Sequence, residues 1–149
     1  MAKRILVPLD HSPIADSVVS LVADLARGSH ATVRLLHVAP EPENMIDRDG
    51  RVIAYADQEM ASLEAEALDY LQTVELSLWD LPVEAVVRFG NPVAEILRES
   101  EEFGADLIVV STAGRSGLKR TVLGSVAETM LRRARTPVVL YAAAAPEAA

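Results

Sequence analysis

A chain of 149 residues with 50% hydrophobic and 4% aromatic content is long enough to bury one aliphatic core and too short for two ordinary domains. A net charge of −8 argues against DNA or RNA as the main partner, and the absence of cysteine excludes disulfides, thiolate nucleophiles and cysteine-based metal sites. Residues 1–9 carry only a short apolar run ahead of Asp10, so neither a signal peptide nor a membrane span is expected, and the expected location is the cytoplasm.

The first strand is Arg4-Ile5-Leu6-Val7-Pro8-Leu9, with Pro8 near its end, where a ladder tolerates proline. Asp10-His11-Ser12-Pro13 turns the chain into a helix, with Ser12 expected as N-cap and Pro13 in the first turn. Ile14, Val18, Leu21, Val22 and Leu25 recur at helical spacing, and Gly28 is expected to stop that helix. Residues 32–38 form the second strand, and the Pro-, Glu- and Asp-rich residues 39–50 read as a surface loop. A long helix follows, with Met60, Leu63, Ala67, Leu71, Val74 and Leu78 on one stripe. Residues 82–89 give the third strand, and Gly90-Asn91-Pro92 opens a helix capped by Asn91 and ended by Gly104. The fourth strand is Leu107-Ile108-Val109-Val110. A last helix places Leu123, Ala127, Met130, Leu131 and Ala134 on one face, and residues 136–141 form the fifth strand. Residues 1–142 are thus expected as a single domain, and residues 143–149, which have little to bury, as a disordered tail.

Strands that are apolar along most of their length, alternating with helices, predict a three-layer α/β/α sandwich around a five-stranded parallel sheet. With the order 3-2-1-4-5, the binding crevice lies at the carboxyl ends of strands one and four, where the order reverses. Asp10 would face the segment that leaves strand four. That segment has a charge of its own: residues 111–136 hold Arg115, Lys119, Arg120, Arg132, Arg133 and Arg135 against the single acid Glu128. Small residues and cations at a strand-to-helix connection suit a phosphate. Arg132, Arg133 and Arg135 are accounted for by the carbonyl end of the last helix, which leaves Arg115, Lys119 and Arg120 as phosphate candidates. No G-x-G-x-x-G follows a strand and no G-x-x-x-x-G-K-[ST] is present, which argues against a Rossmann dinucleotide site and excludes a P-loop. Ser125-Val126-Ala127-Glu128 also matches a capping box, an assignment compatible with phosphate binding.

The order and spacing of these pieces resemble the universal stress protein family, in particular its ATP-binding, glycine-motif branch. The likeness runs from Ile5-Leu6-Val7-Pro8-Leu9-Asp10 through Leu36-His37-Val38 and Gly90-Asn91-Pro92 to Gly114-Arg115-Ser116-Gly117 and Leu123-Gly124-Ser125. The branch's motif is a glycine, two residues, a second glycine, nine residues, then glycine and serine or threonine. Here Gly114, the spacer 115–123 and Gly124-Ser125 match it, while Ser111 replaces the first glycine. Negative φ at Ser111 would make the replacement cheap, and positive φ would crowd the pocket. The resemblance implies an adenine nucleotide alpha hydrolase-like fold and a stress-response regulator that binds ATP, or AMP or ADP, with Mg²⁺ carried by the phosphates. Asp10 and Val38 would sit at the adenosine and Gly114, Arg115, Gly124, Ser125 and Val126 at the phosphates, with Pro8 and Ser111 counted among the nucleotide-binding residues. It further implies a homodimer through the fifth strand, Val138, Val139, Leu140 and Tyr141, whose edge carries no guarding lysine. The alternatives are a slow ATPase or phosphotransfer enzyme, and a dimeric interaction module with a vestigial pocket.

Overall fold

The computed structural model describes residues 3–10, 15–42, 45–46, 48–54, 56–111 and 125–141. In chain order these form β1 (Arg4–Pro8), α1 (Ala15–Ser29), β2 (Thr32–Ala39), β3 (Met45–Ile46), β4 (Val52–Ala54), α2 (Ala56–Ser77), β5 (Val83–Phe89), α3 (Pro92–Phe103), β6 (Leu107–Ser111), α4 (Ser125–Arg133) and β7 (Val138–Tyr141). Ser12, Pro13, Leu123, most of the basic glycine segment and the expected tail lie outside the described residues.

The main sheet has the order β5-β2-β1-β6-β7, and each neighbouring pair is parallel. This is the expected 3-2-1-4-5 arrangement. Successive residues of a strand point to opposite faces, so the three inner strands feed two cores. Val7, Val33, Leu35 and Val109 pack with Val22 and Leu71 on the α1/α2 side. Leu6, Leu36 and Ile108 pack with Ile96 and Met130 on the α3/α4 side. Burial on both faces is why β1 and β6 are apolar along most of their length. β5 and β7 flank the sheet and are mostly half-buried, which puts the expected fifth strand at an edge.

The ends of α3 follow its sequence. Asn91 Oδ1 accepts from the Ala94 N–H at 3.0 Å, Pro92 occupies the first turn, and Gly104 closes the helix in the left-handed region at φ 71°. Three expectations are corrected. Within the expected loop 39–50 and just after it, β3 and β4 pair antiparallel, with Met45 opposite Ala54 and Ile46 opposite Val52. Gly50, at φ 78°, supplies the left-handed turn between them, and Asp49-Gly50 between apolar pairs was the signal for it. On α4, Ala127 and Met130 are buried as expected but Leu131 is 48% exposed, because the helix presents only a narrow stripe to the sheet.

The third correction concerns the end of α1, which runs past Gly28 and closes at His30, a non-glycine residue at φ 55°. The Ala31 N–H donates to the Ala26 carbonyl at 3.0 Å, a Schellman closure that drops the fully buried Ala31 into the start of β2. Burial of Ala31 fixes where the chain reverses, and the freedom of Gly28 goes unused. His30→Gly should therefore stabilise the protein by about 1 kcal/mol, since the left-handed conformation costs an L-residue roughly that much. Urea unfolding of the variant checks this as a raised midpoint at unchanged slope.

Candidate functional site

β1 has β2 on one side and β6 on the other, and the chain builds outward first to β5 and later to β7. The carboxyl ends of β1 and β6 therefore flank the point where strand order reverses, the position at which open α/β sheets take ligands. Pro8 ends β1 half-buried. Leu9 continues the ladder, its N–H donating to the Leu36 carbonyl at 2.8 Å. The Leu9 carbonyl meets His37 Nδ1 at 2.8 Å, and because a carbonyl only accepts, that nitrogen carries the proton. Asp10, next along, is exposed at the mouth of the crevice. Val38, one residue past His37 and opposite Arg88, packs on the α3/α4 core.

Across the crevice, Ser111 ends β6 opposite Tyr141. His30 is the one non-glycine residue of positive φ among the described residues, so the serine at this motif position carries no left-handed strain. α4 is entered at Ser125 itself, which is exposed, with Val126 packed against the α3/α4 core. The serine thus stands in the first turn, where main-chain N–H groups have no intrahelical acceptor. Its carbonyl accepts from Thr129 Oγ1 at 2.8 Å. Gly114, Arg115 and Gly124 lie outside the described residues, as do Lys119 and Arg120. Of the residues singled out in the sequence, Pro8, Asp10, Val38 and Ser111 thus stand at strand carboxyl ends and Ser125 and Val126 in the first turn of α4. Among the described residues no group of three His, Asp or Glu side chains is arranged to hold a metal.

Sequence reading missed two features beside this crevice. One is His37, whose place in an apolar strand was the available sign. The other is an ionic network under the α3 side of β2 and β5. Glu99, 2% exposed, receives Arg34 Nη1 at 2.8 Å and Arg88 Nε at 2.8 Å. Arg34 also binds Glu84 at 2.9 Å and lies over the Phe103 ring, its guanidinium carbon 4.2 Å from the centroid. Arg88 reaches Glu95 at 3.4 Å and pairs with Glu102. The hydrogen bond to Glu99 holds the Arg88 guanidinium above its ordinary pKa against the opposing effect of burial. Burial pulls Arg34 down, but its bonds to Glu84 and Glu99 outweigh it and leave that pKa raised as well. Because Arg88 lies opposite Val38, the network anchors β5 to α3 next to the crevice.

Two clefts lie away from the strand carboxyl ends. One of about 490 Å³ runs between α1 and the end of α2, lined by Val19, Ala23, Arg27 and Ser77. The other, about 160 Å³, lies between α3 and the end of α4 beside Arg133 and Thr136.

The model of the universal stress protein family matches residues 1–142. Universal stress protein MJ0577 of Methanocaldococcus jannaschii is 27% identical over 94% of this chain and 94% of its own length. Its solved structure superposes with a TM-score of 0.79 at 28% identity, covering 97% of this chain and 98% of that one. A universal stress protein solved in complex with cAMP shares the fold at 21% identity and TM-score 0.62, covering 96% of this chain and 98% of its own. One from Archaeoglobus fulgidus solved in complex with dAMP does so at 18% identity and TM-score 0.62, covering 94% and 97%. No helix among the described residues is long and apolar enough to cross a membrane.

Proposed function

Because the chain belongs to the universal stress protein family, we propose that it binds an adenine nucleotide, ATP in the first instance, and works as a stress-response regulator whose shape or partner affinity follows nucleotide occupancy. The observation that supports this reading is that Asp10, Val38 and Ser111 stand at or just past the carboxyl ends of β1, β2 and β6, where the strand order reverses. Pro8, Asp10 and Val38 take the adenosine. Ser111, Gly114, Arg115, Gly124, Ser125 and Val126 take the phosphates, through main-chain N–H groups and the positive end of α4. Mg²⁺, where present, is held by phosphate oxygens and water. That two proteins of the same fold have been solved with cAMP and dAMP supports an adenine nucleotide as the ligand.

Calorimetric titration with ATP and with AMP, each with and without Mg²⁺, tests the reading. The parent protein should release heat and Gly114→Arg should release none, because the new side chain fills the phosphate cradle. Equal binding by the variant would put the site elsewhere.

The same reading makes the protein a homodimer through β7. That strand ends the sheet, and its residues, Val138 to Tyr141, are half-buried within one chain. An apolar edge strand gains both hydrogen bonds and burial by meeting a second copy. Leu140→Lys should elute from a sizing column at half the mass of the parent, and unchanged elution would remove the edge from the account.

A further inference from the structure

We propose that His37 is a positioning residue for the nucleotide site, acting on Asp10 through the Leu9–Asp10 peptide. The proposal rests on the nucleotide reading and adds to it the part that holds the adenosine-side carboxylate in place. β2 grips the Leu9 unit at both of its main-chain polar groups: the Leu36 carbonyl takes its N–H at 2.8 Å, and the His37 ring gives a proton to its carbonyl at 2.8 Å. The carbonyl belongs to the peptide whose other end is the Asp10 nitrogen. Holding it therefore fixes ψ of Leu9 and the direction in which the exposed Asp10 leaves the strand.

The chemistry specifies the ring as well as the position. Leu9 extends the β1 ladder through its N–H, and the donor to its carbonyl is the His37 side chain. On β2, Leu35 faces the α1/α2 core together with Leu9, and strand alternation puts His37 on that same face. A donor at the δ position of the side chain, Nδ1, is the atom that meets the carbonyl. The bond survives in both protonation states of the ring, because Nδ1 carries a proton in the imidazolium and in this tautomer alike. A preset Asp10 spares the ligand the cost of ordering it, and affinity gains by that amount.

The test compares the parent with His37→Leu, His37→Gln and His37→Asn by ATP and AMP calorimetry, with thermal unfolding as the control for folding. Leucine has no donor and the glutamine amide lies one carbon further out, so both should weaken ATP by about fivefold, the value of one net hydrogen bond. AMP should weaken by the same factor, because the effect lies at the adenosine end. The asparagine amide nitrogen stands where Nδ1 stands, and His37→Asn should bind within about twofold of the parent. In the ¹⁵N spectrum of the imidazole, Nδ1 should be the protonated nitrogen of the neutral ring. Unchanged affinity in both His37→Leu and His37→Gln, no recovery with asparagine, a larger loss for ATP than for AMP, or protonation at Nε2 would each overturn the proposal while leaving the nucleotide reading standing. Absence of ATP heat from the parent protein would overturn both.

Discussion

Glu99→Ala should destabilise the fold by about 3 kcal/mol, the low end of what breaking a buried ion pair costs. The glutamate side chain is 3% exposed and lies between Arg34 and Arg88, whose side chains are 21% and 20% exposed. Alanine would leave the Arg34 guanidinium, which lies over the Phe103 ring, and that of Arg88 without the carboxylate they share. Their remaining partners limit the damage, because Glu84, Glu95 and Glu102 still answer one arginine each. The cost arises from partly buried cations left short of a carboxylate more than from lost attraction. Replacing Arg34, Arg88 and Glu99 together by methionine should therefore recover most of the loss, whereas a network worth its full Coulomb energy would lose further stability. Urea unfolding at neutral pH reads both outcomes, and a Glu99→Ala loss below about 1 kcal/mol would show that solvent already screens the pair.

Leu71→Ala should cost about 3–4 kcal/mol, as expected for a leucine removed from a packed site. α2 is 22 residues long, yet its buried residues are Ala67, Leu71 and Val74, so its attachment to the sheet is concentrated in about two turns. Leu71 is the largest of the three and is fully buried against the α1/α2 core. The cavity would open between the helix and β2 and β5, where rigid strands cannot close it. Leu76→Ala, five positions on in the same helix and 75% exposed in the parent, should change stability by less than about 0.5 kcal/mol. The pair separates the loss of packing, which only the first variant would show, from the change in helix propensity, which both share and which slightly favours alanine. Similar midpoints in thermal unfolding would mean that α2 is docked less firmly than its burial indicates.

The features that could be read from the chain are those written in neighbouring residues. Asn91-Pro92 and Gly104 bound α3 because a cap needs a side chain within a turn and a left-handed stop favours glycine at that very place. Alternation of apolar runs with helical stripes fixed a layered parallel sheet, since a strand covered on both faces must be apolar along its length. Ser111 marks the boundary of that legibility. Its replacement of the motif glycine is visible in the sequence, but whether the replacement costs anything depends on a backbone angle, and the strand pairing with Tyr141 decides it.

Where the sequence misled, distant burial had overridden a local preference. Gly28 is the better helix stop by its own chemistry, yet α1 closes at His30 because Ala31 must enter the core there. By itself, then, the sequence determined the fold class, the ends of α3 and the family to which the chain belongs. The tertiary structure alone decided that Glu99 would serve Arg34, 65 residues away, and that His37 would hold the Leu9 carbonyl from 28 residues along the chain. Such pairings follow from strand order and register, which bring together residues whose separation along the chain carries no trace of the contact.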